Sequence, residues 1–334
     1  MRMRKPSVEA VERALYDSRS VVRLHGFRRT MWVMTPRTAA SMFSSTTAGH
    51  AEALTQRLVS LVEANEITSD APAWVENAKA ELLDALSERG TATTRELGEA
   101  CPDTAIALEV QGVTVTAHSR LMACLGFDGA VVRTRPLGSW ISSQYAWAPM
   151  GAWVEGGLAD VSPEAGARTI VDAYLRGFGP ATVKDIKWWT GWTAVMTRQA
   201  LADAGAIPVE VDGGEAFVAA DDVDDLQPEP WTSFLPSLDP TTMGWKERDW
   251  YLDPDRVPWL FERNGNAGPT GWMDGRVVGG WAQASDGEIR HHVFDQEAAA
   301  RSAEIDAAAV RLAEFLGDTR PRPRFPTPAL KDLT

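Results

Sequence analysis

The chain has 334 residues and a formal net charge of −13 at pH 7, and 44% of its residues are hydrophobic. A chain of this length can bury a large core and is expected to form two or three domains, and this composition is ordinary for a globular protein. The sequence contains no uncharged apolar run of about 18 residues that could span a membrane, and its amino terminus lacks the apolar core of a signal peptide, so a cytoplasmic protein is expected.

Charge is unevenly distributed along the sequence. Residues 1–37 carry nine Arg or Lys and three acids, a local excess of +6, so the rest of the chain sums to −19. Between Gln199 and Trp245 there are ten acids and no basic residue. Because Lys and Arg displace counterions from DNA, the acidic body opposes nucleic-acid binding, whereas the basic end permits it locally. The acidic block is interpreted as a solvated face, and a protein partner for the acidic body is the alternative.

Residues 1–73 predict a partial first winged-helix module and a connecting helix. Ser7 caps a helix over residues 7–16, the stretch 21–34 predicts strands, and residues 39–63 predict the connecting helix. A winged helix needs three helices before its wing, and only one precedes these strands. The front of this first module is therefore expected to be missing.

Two segments 89 residues apart repeat one pattern. Residues 86–97 read LSERGTATTREL and residues 175–186 read LRGFGPATVKDI. In each copy a glycine ends one helix, and a Thr followed three residues later by an acid is typical of a capping box that begins the next helix. Each copy therefore predicts a helix-turn-helix unit.

A β-rich stretch follows each copy after one further helix, which is the layout of a winged helix. Residues 74–160 thus predict a second winged-helix module and residues 161–227 a third. In the third module, residues 193–204 take the position of the recognition helix. Residues 209–218 predict its wing, a hairpin closed by a Gly-Gly turn.

Residues 228–334 predict a β-rich C-terminal domain with a helix and a tail. Asp274-Gly275 and Asp286-Gly287 each predict a hairpin turn within an antiparallel meander. Residues 298–316 predict a helix that covers this sheet, and the Pro-rich tail is expected to be extended or disordered. The predicted fold class is α+β, with tandem winged-helix modules followed by a small antiparallel β-sheet and a covering C-terminal helix.

Basic and aromatic side chains in the predicted modules are the candidate contacts to double-stranded DNA. The candidates are Arg23, Arg28, Arg29, Arg133, Arg135, Lys184, Lys187 and Trp188. Each group has an ordinary structural alternative. Arg28 and Arg29 are adjacent at a predicted strand entrance and would point to opposite faces, so a surface ion pair is the alternative.

The other candidates have alternatives of the same kind. Arg133 and Arg135 share a strand face by their spacing, and a solubilising edge strand would use them equally well. Lys184 and Lys187 beside Trp188 are also typical of lysines that snorkel over core tryptophans.

The sequence predicts no cofactor and no metal site. Cys101 and Cys124 match no metal-ligand spacing and are interpreted as buried side chains rather than a disulfide. His291 and His292 are neighbours on a predicted strand, where their side chains project to opposite sides and cannot chelate one metal ion.

Several segments together resemble the bacterial winged-helix proteins of the AlkZ/YcaQ superfamily, and the resemblance spans most of the chain. These segments are VRLHGFRRTMWV at 22–33, GPAT at 179–182 with Trp188 and Gly191, LPSLD at 235–239 with Met243 and Gly244, NGNAGP at 264–269, and DGRVVG at 274–279. The resemblance implies three tandem winged-helix motifs and a β-rich C-terminal portion. It also implies DNA-repair chemistry, in which a glycosylase excises bulky alkylated bases or unhooks interstrand crosslinks by hydrolysing an N-glycosidic bond.

The sequence departs from the family at the catalytic motif. The family places a Gln-x-Gln or Gln-x-Asp motif before the helix that Ser7 begins, whereas the first Gln of this chain is Gln56 in the connecting helix. No catalytic residue is therefore carried over. Either the start codon is misassigned and about 30 to 50 residues precede Met1, or the protein is a non-catalytic DNA-binding relative with a regulatory or lesion-sensing role. A missing half-module would expose apolar surface, which favours the first explanation.

Overall fold

The structure is a computed structural model that describes residues 7–139, 141–223 and 228–334. Its helices are α1 (Val8–Glu12), α2 (Pro36–Met42), α3 (Ala48–Ala64), α4 (Ala71–Arg89), α5 (Thr94–Ala100), α6 (Ala117–Phe127), α7 (Met150–Trp153), α8 (Pro163–Phe178), α9 (Val183–Thr190), α10 (Ala194–Asp203), α11 (Val257–Leu260), α12 (Gln296–Ala300), α13 (Ser302–Leu316) and α14 (Pro328–Leu333). Its strands are β1 (Val22–His25), β2 (Met31–Met34), β3 (Ala92–Thr93), β4 (Ala107–Val110), β5 (Val113–Thr116), β6 (Val131–Pro136), β7 (Tyr145–Pro149), β8 (Ile207–Val211), β9 (Gly214–Val218), β10 (Thr232–Leu235), β11 (Thr270–Met273), β12 (Arg276–Gln283) and β13 (Ile289–Val293).

The described residues form two compact units. The N-terminal unit comprises Ser7–Tyr174 and Thr190–Ala206, and the C-terminal unit comprises Leu175–Trp189 and Ile207–Thr334. Because the units interleave along the chain, the segment predicted as the third module contributes to both. The four-part division at residues 73, 160 and 227 remains a prediction.

The start of the N-terminal unit follows the sequence closely. The Ser7 hydroxyl accepts a hydrogen bond from the backbone N–H of Ala10 and so caps α1. Strands β1 and β2 lie in the stretch predicted to form strands, and they pair antiparallel. The predicted connecting helix is interrupted, because a π-helical stretch over Phe43–Thr47 separates α2 from α3. Such stretches are rare in helices and often lie near functional sites.

The first copy of the repeated pattern joins α4 to α5 as expected. Gly90 has a φ of 72° just past the end of α4, a backbone conformation that glycine adopts without a Cβ clash. The Thr93 hydroxyl accepts from the N–H of Glu96, and the Glu96 carboxylate accepts from the N–H of Thr93, which completes the capping box. These paired bonds set where the second helix begins.

One core holds this part of the N-terminal unit together. Strands β3, β7 and β6 form an antiparallel sheet in that order, and an additional hairpin, β4–β5, precedes α6. The core packs buried side chains of α4, α5, α6 and the sheet, among them Val75, Leu82, Leu86, Leu97, Leu121, Val131 and Trp147. Each fully buried aliphatic side chain contributes about 1.5–3 kcal/mol relative to exposure. Cys101 and Cys124 are free and buried, as predicted.

The second copy lies in the C-terminal unit. Thr182 and Asp185 exchange the same pair of hydrogen bonds as Thr93 and Glu96. Here Gly179 is not in the left-handed region, so only the first copy uses a positive-φ glycine. The β8–β9 hairpin forms as expected, but Val211 pairs with Gly214, so its turn is Asp212-Gly213 and the predicted Gly-Gly turn is off by one residue.

The four-stranded sheet of the C-terminal unit has the order β10-β11-β12-β13 and is antiparallel throughout. Asp274 and Gly275 form the turn between β11 and β12 with φ values of 47° and 86°, as a two-residue hairpin requires. Ile305 and Leu312 of α13 pack onto the sheet residues of one cluster. The predicted covering helix is broken at Arg301, between α12 and α13.

The expectation of an extended or disordered tail is wrong at its end. Thr327 caps α14 by accepting from the N–H of Leu330, and both Thr327 and Ala329 are buried. The Asp332 carboxylate accepts a hydrogen bond from Trp259 Nε1 at 2.8 Å. Proline at the first helical position is compatible with a helix, because that residue has no intrahelical N–H bond to lose.

The observed architecture is a mixed α/β fold with small antiparallel sheets, which agrees with the α+β part of the prediction, and the tandem winged-helix arrangement remains a prediction. In the described parts of the chain, no helix has the length and apolar character needed to cross a membrane. Part of each charged segment lies outside the described residues: Asp224 and Asp225 of the acidic block, and Arg2, Arg4 and Lys5 of the basic end.

Replacing Thr93 with Ala tests the contribution of the capping box. The substitution removes the acceptor for the N–H of Glu96, so the free energy of unfolding should fall by about 1 kcal/mol. Urea denaturation measures the change. Thr169→Ala is the matched control, because that hydroxyl donates to the carbonyl oxygen of Ala165 inside a helix and caps nothing. A loss no larger than the control's would contradict the assignment.

Candidate nucleic-acid interface

The candidate interface lies in the N-terminal unit, where strand β1 packs beside strand β6. Along β1, Val22 and Leu24 are buried, and Arg23 and His25 alternate with them and are half-buried. Successive side chains of a strand point to opposite faces, so Arg23 and His25 share the face that the aliphatic side chains leave. Arg133 alternates with buried residues on β6 in the same way.

The guanidinium of Arg133 is at the centre of this site. Its Cζ lies 4.2 Å from the ring centroid of Tyr145 and 5.4 Å from that of Trp147, both on β7. The faces of these rings carry partial negative charge and stabilise a cation. Burial lowers the pKa of Arg133; Tyr145 partly opposes this, and the positive charge of Arg23 adds to it. An arginine remains protonated under these conditions, so the site holds a half-buried cation.

His25 is the neighbour of Arg133 across the site. Its Nε2 lies 3.4 Å from Arg133 Nη2, and its ring stacks on Phe127 with the centroids 4.4 Å apart. Burial, and then the charge of Arg133, lower the pKa of His25 from 6.5 to about 4. The imidazole is therefore neutral at pH 7, and its Nε2 accepts a hydrogen bond because a guanidinium can only donate. The hydrogen-bonding neighbour of Arg133 is thus a neutral imidazole, which does not cancel the positive charge of the guanidinium as a carboxylate would.

Arg23 adds a second positive charge. Its Nη2 donates to the carbonyl oxygen of Thr134 at 3.4 Å. Within the described ranges, neither Arg23 nor Arg133 has a carboxylate partner, and the Nε of each is buried without a hydrogen-bond acceptor. A buried donor without an acceptor costs free energy. An anion at this site would offset the repulsion between two like charges, and guanidinium groups bind phosphate oxygens especially well.

Arg135 lies two residues along the same strand but is neutralised. It forms salt bridges with Glu12 at 2.6 Å and Asp17 at 3.3 Å, and its Cζ lies 4.8 Å from the ring centroid of Tyr16. The spacing predicts that Arg133 and Arg135 share a strand face, and in the structure both belong to β6 and flank the buried Thr134. Only the tertiary structure separates the unpaired cation from the paired one.

Arg28 and Arg29 do not lie at a strand entrance, which corrects the sequence prediction. They belong to the turn between β1 and β2 and have φ values of 52° and 58°. Both are exposed, and the alternating geometry of a strand does not apply to them. Arg29 lies near His50, whose pKa is lowered first by burial and then by this positive charge.

The remaining candidates lie on α9 in the C-terminal unit. Lys184 forms an ion pair with Glu247, which reduces its availability to phosphate. Lys187 is exposed, and the half-buried Trp188 packs against Arg248, whose Cζ is 5.2 Å from its ring centroid. Trp189 is the buried tryptophan of this helix. The alternative of core tryptophans under lysines therefore fits Trp189 better than Trp188.

Sequence reasoning did not assign His25, Tyr145 or Trp147 to the site. The alternation along β1 was a usable signal for His25, because it places this residue on the face of Arg23. The two aromatic residues are brought to Arg133 by the pairing of β6 with β7, which local sequence does not reveal. In the described portion of the chain, no group of three or more His, Cys, Asp or Glu could hold a metal ion.

Comparisons with known proteins place this geometry in context. The family described as DNA glycosylase AlkZ-like matches residues 1–315. The structure is similar to that of the Streptomyces sahachiroi DNA glycosylase AlkZ, with a TM-score of 0.73 and 21% sequence identity, over 96% of this chain and 85% of that chain. No curated protein matches the sequence. At this identity the likeness to the solved structure establishes the fold.

Titration of His25 tests the contact at the centre of the site. Replacing Arg133 with Gln removes a nearby positive charge, so the pKa of His25 should rise from about 4 towards 6.5, although burial keeps it depressed. NMR of the imidazole protons measures the shift. Arg135→Gln is the control on the same strand and should leave this pKa unchanged, because Arg135 is paired with Glu12 and Asp17. Equal shifts in both variants would argue against the contact.

Proposed function

Because the chain belongs to the AlkZ-like DNA glycosylase family, we propose that it is a DNA-repair glycosylase that binds double-stranded DNA and excises bulky alkylated bases or unhooks interstrand crosslinks. In this reaction the oxygen of a water molecule bonds to C1′ of the deoxyribose while the bond from C1′ to the base nitrogen breaks. The proton lost by the water passes to the departing base or to solvent. The described side chains are assigned to holding DNA, and none is assigned to activating this water.

The order of elements between residues 71 and 149 supports a winged-helix mode of binding. The order along the chain is α4, β3, α5, the additional β4–β5 hairpin, α6, β6 and β7, and the sheet order is β3-β7-β6. In such modules the third helix enters the major groove through its amino-terminal residues. Ser119 and Arg120 are exposed in the first turn of α6, whereas the rest of that helix is largely buried. We assign α6 as the recognition helix of this module.

The observation that carries the proposal is the pair of cations at Arg23 and Arg133. The whole chain has a net charge of −13 and would repel a polyanion. Two half-buried guanidinium groups without a described carboxylate partner give this acidic protein a local site for a phosphate group. Phosphate contacts fix the register of a protein on DNA, and a glycosylase needs that register to hold the nucleotide whose base it removes.

Base release is the direct test of the enzymatic function. The chain should generate abasic sites in a duplex that carries a bulky alkylated purine or a nitrogen-mustard crosslink, and should leave undamaged duplex intact. Abasic sites are detected as strand breaks after alkaline cleavage. Binding to the same duplex without base release would contradict the glycosylase function and identify a non-catalytic DNA-binding protein.

The salt dependence of DNA binding tests the role of the arginine pair. Loss of one phosphate contact in Arg133→Gln should weaken duplex binding by about tenfold, since a hydrogen bond to a charged group contributes about 1.5–3 kcal/mol. The slope of log affinity against log salt should fall by about one. Fluorescence anisotropy with a labelled duplex measures both quantities. Arg135→Gln is the matched control, and the assignment would be wrong if it changed binding as much as Arg133→Gln.

A further inference from the structure

A second cationic site lies in the C-terminal unit, in the part of the chain that composition describes as acidic. An open pocket of about 660 Å³ is lined by three basic residues, Arg248, Arg263 and Lys331, and by one acid, Glu262. The apolar part of its wall consists of Val257, Pro258, Phe261, Pro326 and Pro328. The pocket therefore combines positive charge with an apolar surface.

Arg248 is fixed in the wall of this pocket by two aromatic rings. Its Cζ lies 5.2 Å from the ring centroid of Trp188 and 4.7 Å from that of Phe261. Rings on a guanidinium restrict its rotation and leave its N–H groups to donate in the guanidinium plane. The Nε of Arg248 is buried and has no hydrogen-bond acceptor in the described chain. As at Arg133, a cation is held by aromatic rings instead of by a carboxylate.

Two acids are close to these cations: Glu262 lines the pocket, and Asp332 is next to Lys331 in the sequence. The carboxylate of Glu262 accepts hydrogen bonds from the backbone and side-chain amides of both Asn264 and Asn266, at 2.8–3.0 Å. Asp332, next to Lys331, accepts from Trp259 Nε1 at 2.8 Å. In the described parts of the chain, none of the three pocket cations forms a salt bridge with these acids. Three cations against the one carboxylate of Glu262 leave the pocket lining with a net positive charge.

The carboxyl-terminal segment builds one side of the pocket. Pro326, Pro328 and Lys331 belong to it, and it is held in place by the burial of Thr327 and Ala329. Its position is therefore part of the packed fold, and Lys331 lines the same cavity as Arg248 and Arg263.

We propose that this pocket binds a nucleoside monophosphate unit, with its phosphate on Arg248, Arg263 and Lys331 and its base on the apolar wall of prolines and Val257. Guanidinium and ammonium groups around one cavity are suited to phosphate oxygens, and planar bases bury apolar surface against proline and aliphatic side chains. The unit belongs either to a DNA strand or to a free nucleotide. The site is separate from the arginine pair of the N-terminal unit and does not require base excision.

Calorimetric titration of the full chain with dAMP tests the site. Binding of deoxyadenosine, which lacks the phosphate, should be at least about tenfold weaker, because the charge-assisted hydrogen bonds are lost. The double variant Arg263→Gln/Lys331→Gln should bind dAMP about tenfold more weakly than the unaltered chain. Both residues are exposed, so the double variant is expected to fold normally. Arg276→Gln removes an exposed cation of the same unit outside the pocket and is the matched control.

A single-stranded decamer of thymidylate, labelled with fluorescein, distinguishes the two sources of the ligand. Displacement of dAMP by the decamer supports a strand of DNA as the occupant. Binding of dAMP that the decamer does not displace supports a free nucleotide. The proposal is overturned if dAMP does not bind, if deoxyadenosine binds equally well, or if the double variant binds dAMP like the control.

The outcome is independent of the proposed glycosylase activity. Loss of dAMP binding in the double variant, with no base release by the unaltered chain, would support the pocket and refute the enzyme. Base release without any dAMP binding would support the glycosylase function and refute the pocket.

Discussion

The rest of the site depends on one cation, Arg133, which is half-buried and has no carboxylate partner among the described residues. Arg133 packs over the rings of Tyr145 and Trp147, and its hydrogen-bonding neighbour His25 is neutral because burial and Arg133 itself depress the pKa of that imidazole to about 4. Ring faces and a neutral acceptor stabilise the positive charge without cancelling it. The site therefore keeps a local positive charge in a protein whose net charge is −13.

Side-chain pairing, more than the number of charges, decides where such a protein can bind an anion. Arg135, Lys184 and Arg301 each form an ion pair with an acid of the same chain, and that acid largely neutralises their positive charge. Arg133 and Arg248 are held by aromatic rings and have a buried Nε without an acceptor. Net charge acts over long distances and is screened by salt, whereas these local arrangements act at contact distance. An acidic chain and a DNA-repair family are thus compatible.

The capping hydrogen bonds that begin helices are local in the sequence and do not involve Arg23 or Arg133. The pairs Thr93 with Glu96 and Thr182 with Asp185 begin helices α5 and α9 through reciprocal hydrogen bonds. These helices fall in different compact units, so the same local pattern serves two packing environments. The proposed glycosylase requires that the first unit also present α6 and the arginine pair to one duplex. The pocket at Arg248 adds a role for the second unit that base excision does not need.

The sequence by itself determined the elements whose causes are local: the capping boxes, the turn at Asp274-Gly275 and, to within one residue, the turn of the β8–β9 hairpin. Residues a few positions apart supply all the hydrogen bonds and dihedral preferences that these features need. Tertiary structure alone decided which cations stay unpaired, because Arg135 meets Glu12 more than a hundred positions away in the sequence. It also decided that the carboxyl-terminal tail folds as α14, since Ala329 is buried by residues distant in the chain. Charge pairing and burial are properties of contacts between remote segments, and no local pattern encodes them.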